Sequence, residues 1–109
     1  MPMMLTIELE DNKYLQRFFR KYAQYEAAVK HNVHTVLPEI ILHRPHKIKP
    51  AYDLKRHQLT IQEYKVVVDK VNFRAAYTQS GDAVTVFYIT PTTIKREFVR
   101  ELASTSLCD

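Results

Sequence analysis

The chain of 109 residues has one cysteine, one glycine and no tryptophan. A single cysteine, Cys108, excludes an intrachain disulfide and a cluster of thiolate metal ligands, a usage that fits a reducing cytosol. A single glycine, Gly81, excludes a glycine-rich loop that could cradle phosphates. The stretch MPMMLTIELED becomes acidic within a few residues, which predicts neither a signal peptide nor a membrane span. We therefore expect a cytoplasmic protein that does not bind membranes.

The composition is typical of one globular domain with a basic surface. Hydrophobic residues make up 46% and charged residues 26% of the chain, and sixteen Lys and Arg outnumber twelve Asp and Glu. The length predicts a single domain over residues 1–109. The net charge of +4 favours an anionic partner, above all nucleic acid, but simple solubility explains the same balance.

The spacing of apolar residues predicts an α+β fold. The predicted elements are a strand over 5–10, a helix over 12–30 capped at Asp11-Asn12, a short helix over 39–42 opened by Pro38, strands over 59–69, 71–79 and 83–90, and a helix over 94–104 capped by Thr92 or Thr93. Pro45 and Pro50 predict an extended connection before the second strand. We expect a small, mostly antiparallel sheet, an N-terminal strand plus a three-stranded C-terminal meander. An N-terminal helix or helical hairpin and a C-terminal helix should pack on one face.

The stretch VNFRAAYTQSGDAVTVFYIT, residues 71–90, predicts a hairpin with Gly81 in its turn. Arg74 stands inside the first strand of this hairpin, on the face opposite to Phe73 and Tyr77. If helices cover the aromatic face, Arg74 projects from the open side, where its fork of donors suits a phosphate. An ion pair with Asp69 or Glu63 on the neighbouring strand explains the arginine equally well.

The stretch LHRPHKIKPAYDLKRH, residues 42–57, concentrates basic residues around one aromatic residue, Tyr52. Its cations are accompanied by the single acid Asp53. Such interleaving suits a phosphate backbone with occasional base stacking, while a solvated loop is the alternative. The predicted RNA-binding residues of this stretch and of the last helix are Arg44, Lys47, Lys49, Lys55, Arg56, Lys95 and Arg100.

Residue patterns typical of metal enzymes and of serine hydrolases are weak or missing. The H-x-x-H pairs, His31 with His34 and His43 with His46, are enough imidazoles for zinc, but no cysteine or obvious carboxylate completes them. We therefore predict no metal and no small-molecule cofactor. Lys, Arg, His and Tyr can cleave RNA without a metal, because a base helps the 2′-hydroxyl attack while cations stabilise the pentavalent phosphate.

Residues 52–102 resemble the RelE/ParE superfamily of small bacterial toxins, including its HigB-like branch. The resemblance runs from YDLKRHQLTIQEYKVVV, through NFRAAY and AVTVFYIT, to TTIKREFVREL, and the predicted order of elements matches. It implies a RelE-like fold and the toxin of a type II toxin–antitoxin system, neutralised by a cognate antitoxin protein. Relatives of the RelE kind cleave mRNA in the ribosomal A site, whereas ParE-type relatives poison DNA gyrase.

The resemblance also implies catalytic residues. Arg74 falls on the family's strand arginine, which contacts the scissile phosphate in the nuclease members. Arg96 matches a basic residue near the start of the closing helix. Val67 and Asp69 stand where the best-known nucleases carry lysines, so the general base does not transfer. The candidates for that base are Lys65, His57 and Tyr88.

These observations predict a metal-independent, ribosome-dependent mRNA endoribonuclease whose partners are mRNA, the ribosome and an antitoxin. The basic surface and Arg74 favour this function. The missing lysines favour a non-catalytic toxin or binding module that inhibits a protein target such as DNA gyrase. A small phage-type nucleic-acid-binding protein without enzyme activity is a third hypothesis.

Overall fold

Five strands form one mixed sheet in the computed structural model, which describes residues 4–109. They are β1 (Thr6–Leu9), β2 (Lys49–Arg56), β3 (Leu59–Val68), β4 (Val71–Ser80) and β5 (Ala83–Thr90). Their order in the sheet is β1-β5-β4-β3-β2; β1 runs parallel to β5, and the other neighbours are antiparallel. The α+β class is confirmed, with an N-terminal strand beside an antiparallel meander.

The α-helices of the described residues are α1 (Lys13–Lys21), α2 (Glu26–His31), α3 (Leu37–His43) and α4 (Lys95–Ala103). A 3-10 turn at Ala23–Tyr25 joins α1 to α2, and a π-helical stretch at Asn32–Val36 joins α2 to α3. The helix predicted over 12–30 is therefore the first part of a longer, interrupted helical path. Pro38 lies in the first turn of α3, as predicted, where its missing N–H costs nothing. Along residues 4–109, no helix is both long and apolar enough to cross a membrane.

The N-caps predicted for the first and the last helix have different outcomes. Asn12 caps α1, since its side-chain oxygen accepts a 2.9 Å hydrogen bond from the backbone N–H three residues later. The prediction that Thr92 or Thr93 caps α4 is wrong, because Ile94 occupies that position without a side-chain hydrogen bond. The hydroxyl of Thr92 instead donates to the carboxylate of Glu101, at 2.7 Å.

Both faces of the sheet are buried, so the prediction that the helices pack on one face is wrong. The first face packs against α1, α2 and α3 through a core that includes Leu15, Phe18, Val29, Val33, Leu37, Tyr64, Val66, Phe73, Tyr77 and Val86. The second face packs against α4 through Ala51, Ile61, Ala76, Phe87, Tyr88, Phe98, Leu102 and Leu107. The second apolar set would face water without α4, and its burial holds that helix in place.

The sequence predicted only an extended connection before β3, with no strand in it. This prediction is wrong from Lys49 onwards, because residues 49–56 form β2. This strand lies at the sheet edge, where Pro50 removes no necessary ladder hydrogen bond. Its register shifts between Pro50 and Lys55, so residues 51–54 lie opposite Ile61 alone. The meander therefore has four strands, and the one that was missed carries a bulge.

The turns of the meander are tight. Gly81 has φ of 63° in the β4–β5 turn, which confirms the prediction from the only glycine. The β2–β3 turn consists of His57 and Gln58, with φ of 53° and 67°. Their N–H groups donate to the carboxylate of Asp109, at 2.8 and 2.7 Å.

Candidate functional site

A cavity of about 530 Å³ lies where β3 extends beyond the start of β2. The register places Lys49, the first residue of β2, opposite Glu63, so residues 64–68 of β3 have no β2 neighbour in the part of the chain described. The helical path forms one wall with Asn32, Val36 and Ile40. The lining is completed by Arg44, His46, Lys47, Lys49, Glu63, Tyr64, Lys65, Val67 and Arg74.

The cavity gathers basic residues that are scattered along the chain. Five cationic side chains line it, together with His46 and one carboxylate, that of Glu63. All five belong to the predicted site: Arg44, Lys47 and Lys49 as RNA-binding residues, Arg74 as the contact to the scissile phosphate, and Lys65 as a candidate for the general base. A cleft lined by charge of one sign concentrates counter-charged ligands, so this site can bind a phosphate or another anion.

Arg74 is held by a buried ion pair with Glu63, one of the two partners that the sequence left open. Its Nη1 donates to Glu63 Oε2, and its Nη2 donates to the backbone oxygen of Thr93 at 2.6 Å. The side chain of Glu63 is 2% exposed and that of Arg74 16% exposed. The prediction that Arg74 projects from an open side of the sheet is wrong, because the ring of Phe98 on α4 covers it, at 5.8 Å from the guanidinium carbon.

Lys95, the first residue of α4, lies next to the ion pair of Glu63 and Arg74. Its Nζ lies 3.7 Å from Glu63 Oε1 and donates to the backbone oxygen of Pro50 at 2.8 Å. The same atom lies 5.1 Å from the centre of the Tyr52 ring. Two cations therefore flank the buried carboxylate, and Lys95 acts as a contact between elements as well as a surface charge.

The lysines of the cavity are free to meet an incoming anion. Lys47, Lys49 and Lys65 are exposed, and none has a carboxylate within 4.0 Å among residues 4–109. Arg44 forms an exposed ion pair with Glu39, at 2.6 Å. An exposed pair of this kind contributes about 0–1 kcal/mol, so a phosphate can compete for the guanidinium.

Other predicted RNA-binding and catalytic residues lie outside the cavity. His57 forms the exposed β2–β3 turn. Arg56 pairs with Glu10 at 2.8 Å, and its guanidinium lies 4.5 Å from the centre of the Phe87 ring. Four more predicted RNA-binding or catalytic residues do not line the cavity: Lys55, Arg96 and Arg100, which are exposed, and Lys95, which is half-buried.

Tyr88 belongs to a different cavity, of about 380 Å³, between α1 and the end of β5. Its hydroxyl donates to the Glu101 carboxylate, which also accepts from Thr90 and Thr92, each at 2.7 Å. Burial and the bond to Glu101 raise the pKa of Tyr88 above its usual range. A tyrosine that holds its proton so firmly is a poor general base.

Sequence reasoning missed two groups that the cavity contains. Glu63 was considered only as a partner of Arg74, and His46 only as a zinc ligand. The alternation Ile61, Glu63, Lys65 in a predicted strand was an available signal, because it puts an acid and a base on one face. In the described part of the chain, no three His, Cys, Asp or Glu side chains are placed to hold a metal ion.

Fold and site together define a small α+β domain with a basic, partly apolar cavity at one sheet edge. Comparisons of the chain with models of protein families, with curated proteins and with solved structures found no match.

Proposed function

We propose that this chain is the toxin of a RelE/ParE-type toxin–antitoxin pair, with a RelE-like fold, and that it cleaves mRNA on the ribosome without a metal. The observation that carries the proposal is the cavity that brings Lys65 and Arg74 together with the basic residues of the 44–49 stretch. A cytoplasmic antitoxin protein would neutralise it. The resemblance over residues 52–102 supports the same function.

The chemistry of the cavity suits attack by a ribose 2′-hydroxyl on the adjacent phosphate. A base takes the hydroxyl proton, the new bond joins the 2′-oxygen to phosphorus, and the bond to the 5′-oxygen breaks as that oxygen receives a proton. Glu63 and His46 line the cavity and are further candidates for this base, in addition to the predicted candidate Lys65. Lys65 and Arg74 would stabilise the charge of the pentavalent phosphate.

The experiment is primer extension on an mRNA that is being translated in a purified system, with the wild type and with Lys65→Gln. Lys65 is exposed and has no ion-pair partner in residues 4–109, so its loss should leave the fold intact. We expect discrete breaks that require the ribosome and that fall at least tenfold in Lys65→Gln, a typical effect of removing a charge-stabilising group.

Lys70→Gln is the matched control. Lys70 is also an exposed lysine, but it follows β3 and does not line the cavity. It should cut like the wild type. Equal cutting by all three proteins would remove Lys65 from the site, and an intact message with normal translation would overturn the nuclease.

One observation favours the second candidate, a toxin that blocks a protein such as DNA gyrase. Val67 is 58% exposed and lines the cavity two residues after Lys65. Val36 and Ile40 line the same cavity, and such a mixed apolar and basic surface suits a protein partner better than a phosphate alone. Intact mRNA together with inhibited DNA supercoiling in a gyrase assay would support this candidate.

A further inference from the structure

Tyr52 is an exposed aromatic residue in an unfavourable backbone conformation next to the basic cavity. It has φ of 50°, the left-handed region that residues with a side chain rarely adopt. The residue is 55% exposed. Strained positions of this kind persist where the surrounding structure or a function requires them.

The bulge of β2 determines where the ring of Tyr52 points. In a regular strand, neighbouring side chains point to opposite faces of the sheet. Ala51 is fully buried in the core beneath α4, so regular alternation would turn Tyr52 away from that helix. Because the register shifts between Pro50 and Lys55, the Tyr52 ring instead lies on the side of α4, 5.1 Å from Lys95 Nζ.

Lys95 connects this ring to the buried ion pair. Its Nζ is 3.7 Å from Glu63 Oε1 and 5.1 Å from the centre of the Tyr52 ring. The ring and the carboxylate are therefore both in contact range of the same ammonium group. Glu63 lines the cavity beside Arg74. A ligand whose phosphate occupied the cavity would therefore have its neighbouring groups within reach of Tyr52.

We propose that Tyr52 stacks on an unpaired nucleobase of an RNA strand whose phosphate lies in the basic cavity. This inference rests on the proposed function. Lys95 lies over one face of the ring, and the exposed part of the ring is left for a base. Stacking on an aromatic side chain accepts any base, because each base has a π-face, so Tyr52 would contribute affinity and position more than sequence preference.

The test compares Tyr52→Gly with Tyr52→Phe, using a short single-stranded RNA that contains one 2-aminopurine. Glycine adopts a positive φ without strain, so Tyr52→Gly removes the ring and should not lower the melting temperature. We expect Tyr52→Phe to quench the fluorescent base and to bind like the wild type. Tyr52→Gly should bind at least about fivefold more weakly, as the loss of one base–aromatic stack predicts, and should not quench.

The outcomes separate this inference from the proposed nuclease. Equal affinity and equal quenching in the wild type and Tyr52→Gly would overturn the stacking, even if both proteins still cut translated mRNA. Absence of quenching in the wild type would overturn it as well. Quenching that depends on the ring, with mRNA left intact, would support the stacking and overturn the nuclease.

Discussion

At the scale of single residues, the buried carboxylate of Glu63 depends on its counter-charges. Its side chain is 2% exposed, and Arg74 is its hydrogen-bonded partner. Arg74→Ala would leave it with Lys95 alone, at 3.7 Å. We expect this substitution to lower the free energy of unfolding by about 3 kcal/mol, because an unpaired buried charge is costly. Urea unfolding followed by circular dichroism measures the change.

The control is the double variant Glu63→Leu with Arg74→Met, which removes both charges and keeps similar side-chain volumes. We expect it to regain most of the lost stability, since apolar replacement of a buried pair is often neutral. If Arg74→Ala unfolds at the wild-type urea concentration, the pair does not stabilise the fold. Loss of cleavage in Arg74→Ala is therefore evidence for a catalytic role only at temperatures where that variant is folded.

The β2–β3 turn offers a second test at this scale. His57 and Gln58 both have positive φ, which is the geometry of a two-residue type I′ turn. Asn-Gly is the pair that this turn prefers, so His57→Asn with Gln58→Gly should raise the free energy of unfolding by about 1 kcal/mol. The melting temperature should rise by about 4 °C.

The same double variant tests a predicted catalytic residue. The bonds to Asp109 come from backbone N–H groups, so they survive the substitutions. Because His57 does not line the cavity, the mRNA cleavage that we propose should stay at the wild-type level. A stabilised variant that no longer cuts would return His57 to the candidates for the general base.

At the scale of elements, Glu101 attaches α4 to the end of β5 through the hydroxyls of Tyr88, Thr90 and Thr92. Burial raises the pKa of the Glu101 carboxyl, but the three hydrogen bonds outweigh burial and hold it below the ordinary value of 4.5. A carboxyl whose pKa is lower in the folded state stabilises the fold above its unfolded pKa. This contribution is lost as the pH falls through the folded value.

We therefore expect the melting temperature to fall as the pH is lowered from 4.5, the ordinary pKa of the group, and to fall less steeply in Glu101→Gln. Differential scanning calorimetry across this range measures both slopes. Glu10 has a lowered pKa too, since hydrogen bonds from Arg56 and Asn12 exceed the effect of burial, so some dependence should remain. Parallel slopes in the two proteins would show that Glu101 is not a source of the acid sensitivity.

The strands that the sequence reveals are rich in β-branched and aromatic residues, even where the register of β4 and β5 shifts between Ala76 and Tyr77. β3, β4 and β5 lie within a residue or so of their predicted bounds, and Gly81 marks the turn between the last two. β2 was missed because Pro50 is typical of loops and because its sequence, KPAYDLKR, has no β-branched residue. The face of the sheet on which α4 packs was missed for another reason. The sequence of α4 shows an apolar stripe but does not show which face of the sheet this stripe contacts.

The residue types of the site were predictable, and their grouping was not. Arg74 and the lysines are visible as unusual cations in the sequence. The register pairs Lys65 with Arg74 and Glu63 with Ala76, which makes Glu63 and Arg74 diagonal neighbours on one face. Only this register selects Glu63 over Asp69 as the partner. The cavity further depends on where the helical path crosses β3, and no local pattern encodes that position.

At the scale of the whole molecule, the excess of basic residues should make the affinity for RNA, which we propose as the ligand, depend on the salt concentration. Each phosphate contact with a single strand contributes about −0.7 to the slope of log K against log salt concentration. Lys65→Gln should therefore reduce the magnitude of the slope by about 0.7, measured by fluorescence anisotropy of a labelled single-stranded RNA in increasing KCl. Lys70→Gln should keep the wild-type slope, and an unchanged slope in both would place Lys65 away from the phosphates.

The parallel pairing of β1 with β5 has a consequence for the order in which the chain folds. Thr6 pairs with Ala83, so β1 gains its neighbour only after β5, the last strand of this sheet along the chain, has been synthesised. The meander, whose turns are short, can form from local contacts, whereas β1 adds by closing a long loop. The nuclease that we propose would thus complete its sheet only after the ribosome has translated the part of the message that encodes β5.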